Sequence, residues 1–288
     1  MTDISHAGTY SLGDRSVNRL GYGAMQLAGP GAFGQPRDYD KAVKVLYEAV
    51  SAGVNHIDTS DYYGPHVTNR LIREALAPYA QDLTIVTKIG AVRGNNGEWI
   101  PDLSPGTLTR SVHDNLKNLG LERLEVVNLR IMLGVDGPTE GSIEAPLTVL
   151  AELQQQGLVG HIGLSNVTAM QIEESRKICE IVCVQYHYNL AHRQDDALID
   201  TLAQADIAYV PFFPLNGFSP FQSSILTEVA ENLNATGMQV ALAWLLRRSP
   251  NILLIPGTSS LEHLRENLAA AALYLPDESI TALDSIAG

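Results

Sequence analysis

Four side chains that could transfer or stabilise a proton follow short apolar segments. Asp58 and Tyr63 lie in GVNHIDTSDYYG, Lys88 closes IVTK, and Arg130 closes VVNLR. A buried ammonium group requires an anionic partner, which makes Asp58 the predicted partner of Lys88. Because a positive charge lowers the pKa of a nearby phenol, we expect Lys88 to make Tyr63 a proton donor for a carbonyl oxygen. Taken singly, each residue is explained as well by a buried ion pair or a cap.

Such a site needs a scaffold that brings the ends of several strands together. From residue 40 onward, β-branched segments alternate with helical apolar stripes, as in βα units around a parallel sheet. We therefore predict an α/β fold, a (β/α)8 TIM barrel that forms one domain over residues 1–288. An N-terminal β-hairpin before about residue 18 and extra C-terminal helices complete it. Chemistry in such a barrel lies at the C-terminal ends of the strands. The eight strands are predicted near residues 20, 54, 83, 125, 160, 181, 207 and 252.

The composition excludes several classes of function. A formal net charge of -13 repels nucleic acid and anionic membranes. The polar N-terminus does not resemble a signal peptide, and no apolar stretch reaches the roughly 20 residues of a membrane span. We expect a cytoplasmic protein whose two cysteines are reduced. No metal site is expected, because His66, His187 and His192 lack a carboxylate set at metal spacing.

The motifs around the four proton-handling residues resemble those of the aldo-keto reductase family, over nearly the whole chain. That resemblance implies NADP(H) as cofactor, a small-molecule carbonyl substrate, and a monomer or small homo-oligomer. It also implies catalytic roles for Asp58, Tyr63 and Lys88. The family usually has a histidine at the end of the fourth strand, where this chain has Arg130. Our hypothesis is that Arg130 orients and polarises the carbonyl instead, since its guanidinium stays charged and presents a planar fork of donors.

The same resemblance implies a cofactor site built from five further segments. Near the nicotinamide end lies GYGAM, and the carboxamide of the nicotinamide is held by GHIGLSN and VCVQYHYN. A stacking ring and the loop along the pyrophosphate come from YVPFFPLNGF. The adenosine phosphate is bound at a helix start by IPGTSSLEHLREN. The implied contacts are Gly23, Ala24, Met25, Asp58, Ser165, Asn166, Gln185, Phe212, Pro214, Leu215, Asn216, Gly217, Gly257, Thr258, Ser259, His263, Glu266 and Asn267.

Cofactor preference follows from the resemblance and not from charge. Relatives often carry Lys or Arg at the 2′-phosphate end, where this chain has Gly257, Ser259, Ser260 and His263, with Arg265 close by. The side-chain charges in this segment therefore do not predict NADPH over NADH.

Within the family, the sequence resembles the bacterial pyridoxal reductase type, which implies reduction of pyridoxal to pyridoxine. Two alternatives stay inside the family: a general aromatic aldehyde or ketone reductase, and an alcohol dehydrogenase. A nicotinamide-binding regulatory subunit with little turnover is a further alternative. A metal-dependent barrel hydrolase would need ligands at the strand ends, and the sequence offers none. Tyr62 and Trp99 are candidate walls of the substrate pocket, although Trp99 could equally anchor its loop.

Overall fold

Parallel strands alternate with helices along the described chain. The computed structural model describes residues 4–131, 137–214 and 222–287. The predicted α/β barrel fold and its β-hairpin are confirmed. The strands are β1 (Thr9–Leu12), β2 (Arg15–Asn18), β3 (Tyr22–Gly23), β4 (His56–Asp58), β5 (Thr84–Ile89), β6 (Ala91–Arg93), β7 (Trp99–Pro101), β8 (Leu124–Arg130), β9 (Val159–Ser165), β10 (Ile181–His187) and β11 (Ala208–Phe212).

Helices connect the parallel strands and cover the outside of the sheet. In α1, residues at helical spacing are buried together, namely Ala42, Val45, Leu46 and Ala49. The helices are α1 (Tyr39–Ser51), α2 (Val67–Leu76), α3 (Pro105–Leu119), α4 (Glu144–Gln155), α5 (Ala169–Ser175), α6 (Asp196–Gln204), α7 (Ser224–Asn232), α8 (Gly237–Arg248), α9 (Leu261–Ala269) and α10 (Asp277–Asp284), with 3-10 turns at Ile4–Ala7, Ala24–Leu27, Pro30–Ala32, Ala270–Ala272 and Ser285–Ala287.

Seven strands form the curved parallel sheet, in the order β11-β10-β9-β8-β5-β4-β3. The hydrogen-bonding register aligns the exits of neighbouring strands, so that Arg130 pairs with Ser165 and Ser165 pairs with Gln185. Because all seven strands run in the same direction, their last residues meet at one rim. The rim therefore collects side chains from segments that are far apart in sequence.

The predicted eighth strand near residue 252 is not a regular strand. Residues 251–257 instead pair with both edges of the sheet at single bridges, Tyr209 with Ile252, Leu20 with Leu254 and Gly23 with Gly257. Pro256 has no N–H to donate, which interrupts the ladder, but its carbonyl still accepts from the Gly23 amide at 3.2 Å. The barrel is closed by this short seam.

The N-terminal hairpin β1–β2 closes the opposite end of the barrel, as predicted. Leu12 and Val17 are buried in one cluster with Val126, Val182 and Leu253, among others. Val126 and Val182 lie near the starts of their strands, so the hairpin packs across the barrel bottom. The apolar plug leaves the other end as the accessible rim. Among the described residues, no helix is long and apolar enough to cross a membrane.

Candidate active site

A buried ion pair lies at the ends of β4 and β5. The Lys88 ammonium group contacts a carboxylate oxygen of Asp58, and these side chains are only 6% and 4% exposed. Lys88 Nζ also donates to the Thr59 carbonyl at 3.1 Å. The second Asp58 oxygen accepts from Gln185 Nε2 at 2.6 Å. The predicted pairing of Asp58 with Lys88 is therefore present, and two further hydrogen bonds, from Lys88 to Thr59 and from Gln185 to Asp58, complete it.

Tyr63 lies beside this pair, with its ring centroid 5.5 Å from Lys88 Nζ. The expectation that Lys88 lowers the phenol pKa is wrong for this structure. Burial raises the pKa of Tyr63, and the Asp58 carboxylate raises it further, against a lowering by the guanidinium groups of Arg130 and Arg93. The physical reason is first the burial of the phenol, which disfavours its charged form, and then the nearby Asp58 carboxylate, which repels a phenolate. The phenol therefore holds its proton at neutral pH, as an acid must before it donates.

Arg130 is the last residue of β8 and points its guanidinium group into the same space. Its Nη1 donates to the Ser165 hydroxyl at 3.0 Å. Its Cζ lies 5.8 Å from the centroid of the Phe212 ring. The position of Arg130 leaves further N–H groups available to an oxygen atom bound between it and Tyr63.

These groups surround one cavity of about 410 Å³ at the rim. One wall is aromatic: Tyr62, Tyr63 and Trp99 pack edge to face, with Tyr62 and Trp99 centroids 5.4 Å apart. Phe212 contributes another ring that is stacked on His187. Tyr62 and Trp99 thus line the cavity, which is one of the two roles that the sequence left open for them. A largely apolar, concave site with a few convergent polar groups suits an aromatic small molecule.

The seam forms another part of this cavity through backbone atoms. A Cβ added to Gly23 would lie 2.4 Å from the Ile255 carbonyl oxygen, and one added to Gly257 would lie 2.6 Å from the Gly23 carbonyl oxygen. Only glycine fits at either position, because the obstructing atoms belong to the backbone. Close backbone packing therefore explains both glycines, and both also line the cavity.

The predicted site residues fall into four groups. Leu215, Asn216 and Gly217 lie outside the described residues. Ser259 lines a second cavity. Seven residues line neither of the two cavities, namely Ala24, Ser165, Asn166, Thr258, His263, Glu266 and Asn267. The residues that line the main cavity are Gly23, Met25, Asp58, Tyr63, Lys88, Arg130, Gln185, Phe212, Pro214 and Gly257.

Several residues of the predicted adenosine segment already have partners within the protein. The Ser260 side chain caps α9 by accepting from the His263 amide. Glu266 accepts from the Thr236 hydroxyl. Arg265 pairs with Glu48 of α1 through two N–H groups. This segment therefore presents a capped helix start, with its arginine held by a carboxylate on a neighbouring helix.

The sequence reasoning missed residues that line the cavities. Gln26 and Gly31 lie in the loop after β3, and the strand-exit rule that found Asp58 could have found them. Met238 reaches the main cavity from α8, and no signal in the sequence indicates this. The loop after β3 also contributes Arg37, which lines the second cavity with Lys41 of α1.

The prediction that His66 lacks carboxylates at metal spacing is wrong. His66 does have carboxylates nearby, because its ligand atom and those of Asp61 and Asp114 lie within 4.8 Å of one another. Asp61, however, accepts from His66 at 2.6 Å and from Asn118 at 2.9 Å. This arrangement is a hydrogen-bonded ion pair that fixes the loop carrying Tyr63.

Comparison with known proteins agrees with the fold. The chain is 69% identical over 279 residues to pyridoxine 4-dehydrogenase of Escherichia coli (strain K12), covering 96% of this chain and 98% of that one. A thermostable aldo-keto reductase solved with the inhibitor epalrestat is 32% identical and superposes with a TM-score of 0.80, covering 96% and 99% of the two chains. An aldo/keto reductase of Klebsiella pneumoniae solved with NADP and acetate shares the fold at 21% identity, with a TM-score of 0.78 and coverage of 96% and 94%.

The barrel and these similarities define the class of protein, an oxidoreductase built on a (β/α)8 barrel. The family model described as the aldo/keto reductase family matches residues 19–287. The chain belongs to that family.

Proposed function

We propose that this protein is an NADPH-dependent carbonyl reductase whose substrate is pyridoxal, which it reduces to pyridoxine. The observation that carries the proposal is the convergence of Asp58, Tyr63, Lys88 and Arg130 on one aromatic cavity. The similarity to pyridoxine 4-dehydrogenase supports the substrate, and the NADP-bound Klebsiella pneumoniae structure supports the cofactor.

The cavity fits a nicotinamide ring on chemical grounds. Gln185 Oε1 is buried and has no hydrogen-bond partner among the described residues, while its Nε2 donates to Asp58. A buried acceptor without a donor is costly, and a primary carboxamide has the N–H that would satisfy it. The hydroxyl of Ser165 accepts from Arg130 and keeps its own proton to donate. Gln185 and Ser165 would hold the carboxamide, and Phe212 would lie against the ring.

When bound, the reduced nicotinamide supplies the hydride that adds to the carbonyl carbon. The protein supplies the proton and stabilises the oxygen. Tyr63 donates its phenolic proton to the carbonyl oxygen. Two donor positions of Lys88 are taken by Asp58 and Thr59, which leaves a third N–H that can donate to the phenol oxygen as the proton leaves. Arg130 donates to the same carbonyl oxygen and favours the developing negative charge.

Arg130 also explains why pyridoxal suits the site. The ring hydroxyl of pyridoxal is adjacent to its aldehyde and is acidic, so a guanidinium group can contact both oxygens at once. The aromatic wall of Tyr62 and Trp99 covers the faces of a planar ring. A histidine at this position would offer fewer donors in a less suitable arrangement.

The test follows NADPH and NADH absorbance separately with pyridoxal, benzaldehyde and a sugar aldehyde. We expect pyridoxal with NADPH to give the highest kcat/KM and pyridoxine as the product. Equal rates with benzaldehyde would make the protein a general aromatic aldehyde reductase, and cofactor binding without turnover would make it a regulatory subunit. Tyr63→Phe should bind NADPH normally and lose about 10²–10⁴ of the rate. A fully active variant would contradict the assignment of the acid.

We further propose that residues 1–288 form one domain, since a single buried cluster includes residues from Ile4 to Leu283. We also propose that the protein is cytoplasmic. Cys179 and Cys183 are both free thiols, which is usual in a reducing compartment.

A further inference from the structure

Residues 255–267 are the segment expected to bind the adenosine phosphate of the cofactor. In this segment no lysine or arginine side chain is free to bind a phosphate group. Gly257 has no side chain where relatives often carry a basic residue. Arg265, the arginine of this segment, is occupied by a two-bond ion pair with Glu48, of which one N–H to oxygen distance is 2.9 Å. A phosphate group carries its charge in water and needs charged donors to be bound in preference to water.

A second cavity of about 510 Å³ adjoins the main one. The two cavities share four lining residues, Met25, Gln26, Gly31 and Ala32, so they lie next to each other along the loop after β3. The second cavity extends to Ser259, in the loop that leads into α9. A ligand with its nicotinamide end in the main cavity can therefore reach the second without leaving the protein surface.

Two cations line the second cavity, Arg37 from the loop after β3 and Lys41 from the first turn of α1. Neither side chain forms an ion pair or hydrogen bond with any described residue. Asp38 is the carboxylate that also lines the cavity, and it accepts the backbone N–H of Lys41 at 3.0 Å as the cap of α1. The cavity therefore has an excess of positive charge in a chain whose net charge is -13. An anion is the chemistry that it fits.

We infer that Arg37 and Lys41 bind the 2′-phosphate that distinguishes NADPH from NADH, with the Ser259 hydroxyl as an additional donor. This inference rests on the proposed function, because it assumes that a nicotinamide cofactor occupies the main cavity. It assigns the selectivity for NADPH over NADH to residues in the loop after β3 and at the start of α1, and not to the segment before α9. Arg37 and Lys41 are specificity residues and take no part in proton transfer.

The test measures equilibrium Kd values for NADPH and NADH by quenching of protein fluorescence, without turnover. The variants are Arg37→Gln, Lys41→Gln and the double variant. Lys44→Gln is the matched control, because Lys44 is exposed on the same helix and does not line either cavity. We expect each single variant to bind NADPH about tenfold more weakly, and the double variant more weakly still, with NADH affinity and the Lys44→Gln variant unchanged. Raising the salt concentration should reduce the preference for NADPH in the wild type and much less in the double variant.

Two results would overturn the inference. If the wild type prefers NADPH and the double variant keeps that preference, Arg37 and Lys41 do not bind the phosphate, while the proposed function stands. If the wild type binds neither NADPH nor NADH, the proposed function fails and this inference fails with it. Thermal unfolding of every variant checks that the exposed substitutions leave the fold intact.

Discussion

Replacing Lys88 by methionine tests the buried ion pair on which the site is built. Methionine has a similar length but no charge, so the variant leaves the Asp58 carboxylate buried with the Gln185 hydrogen bond and without its cation. Removing one partner of a buried pair costs about 3–5 kcal/mol, because the remaining charge is uncompensated. For a chain of this size that corresponds to a fall of roughly 10 °C in Tm. Reductase activity should fall as well, since in the proposed mechanism Lys88 donates to the Tyr63 oxygen as its proton leaves.

A double variant separates the effect of charge from that of packing. Asp58→Asn with Lys88→Met removes both charges and keeps an acceptor for Gln185, so its free energy of unfolding should return most of the way to wild type. Its kcat/KM should stay reduced by about 10² or more, because the proton donor still lacks its partner.

Urea unfolding and NADPH oxidation with pyridoxal are the two measurements. A loss of less than about 1 kcal/mol in Lys88→Met would refute the description of a buried, mutually dependent pair. A double variant as unstable as the single one would show that lost packing, and not an uncompensated charge, causes the destabilisation. Recovery of activity in the double variant would remove Lys88 from the mechanism.

Further substitutions test other parts of the site. Arg130→Met should lower kcat by about 10²–10³ with little change in NADPH Kd, because it removes donors to the reacting oxygen; near-normal kcat would exclude that role. Arg93→Gln should raise KM for aromatic aldehydes on the order of tenfold and change kcat little, since the Arg93 guanidinium lies 3.9 Å from the Trp99 ring and supports that wall. The hydrogen bond to Asp61 raises the pKa of His66 above 6.5. Its protonated form therefore stabilises the fold below about pH 6.5, and this contribution disappears as pH rises through the raised value. Unfolding curves of wild type and His66→Gln should accordingly converge at alkaline pH, and a constant difference across pH would contradict the ion pair.

The sequence predicted the parts of the site that follow from strand ends. Asp58, Lys88 and Arg130 each follow an apolar run, and parallel strands bring such exits to one rim whatever the details of packing. The hairpin was also predictable, because it precedes the first βα unit. The eighth strand was predicted from its apolar residues, but Pro256 and the close approach of Gly23 to Gly257 reduce it to single bridges. That outcome depends on backbone contacts between distant segments, which no local pattern contains.

The electrostatics of the site were less predictable. Spacing suggested that Lys88 would lower the pKa of Tyr63, but a pKa depends on burial and on every nearby charge, and here burial and the Asp58 carboxylate both raise it. The second cavity was missed for a related reason. Arg37 and Lys41 are ordinary surface residues in the sequence, and only the packing of α1 beside α9 makes them line a cavity with Ser259.

The seam between the first and last parts of the barrel makes the site depend on residues from near both ends of the chain. Its cavity wall needs Gly23 and Gly257 in contact, and these residues are synthesised at nearly opposite times. The wall of the main cavity therefore combines residues from near both ends of the chain, and a chain that stops before Gly257 lacks part of that wall.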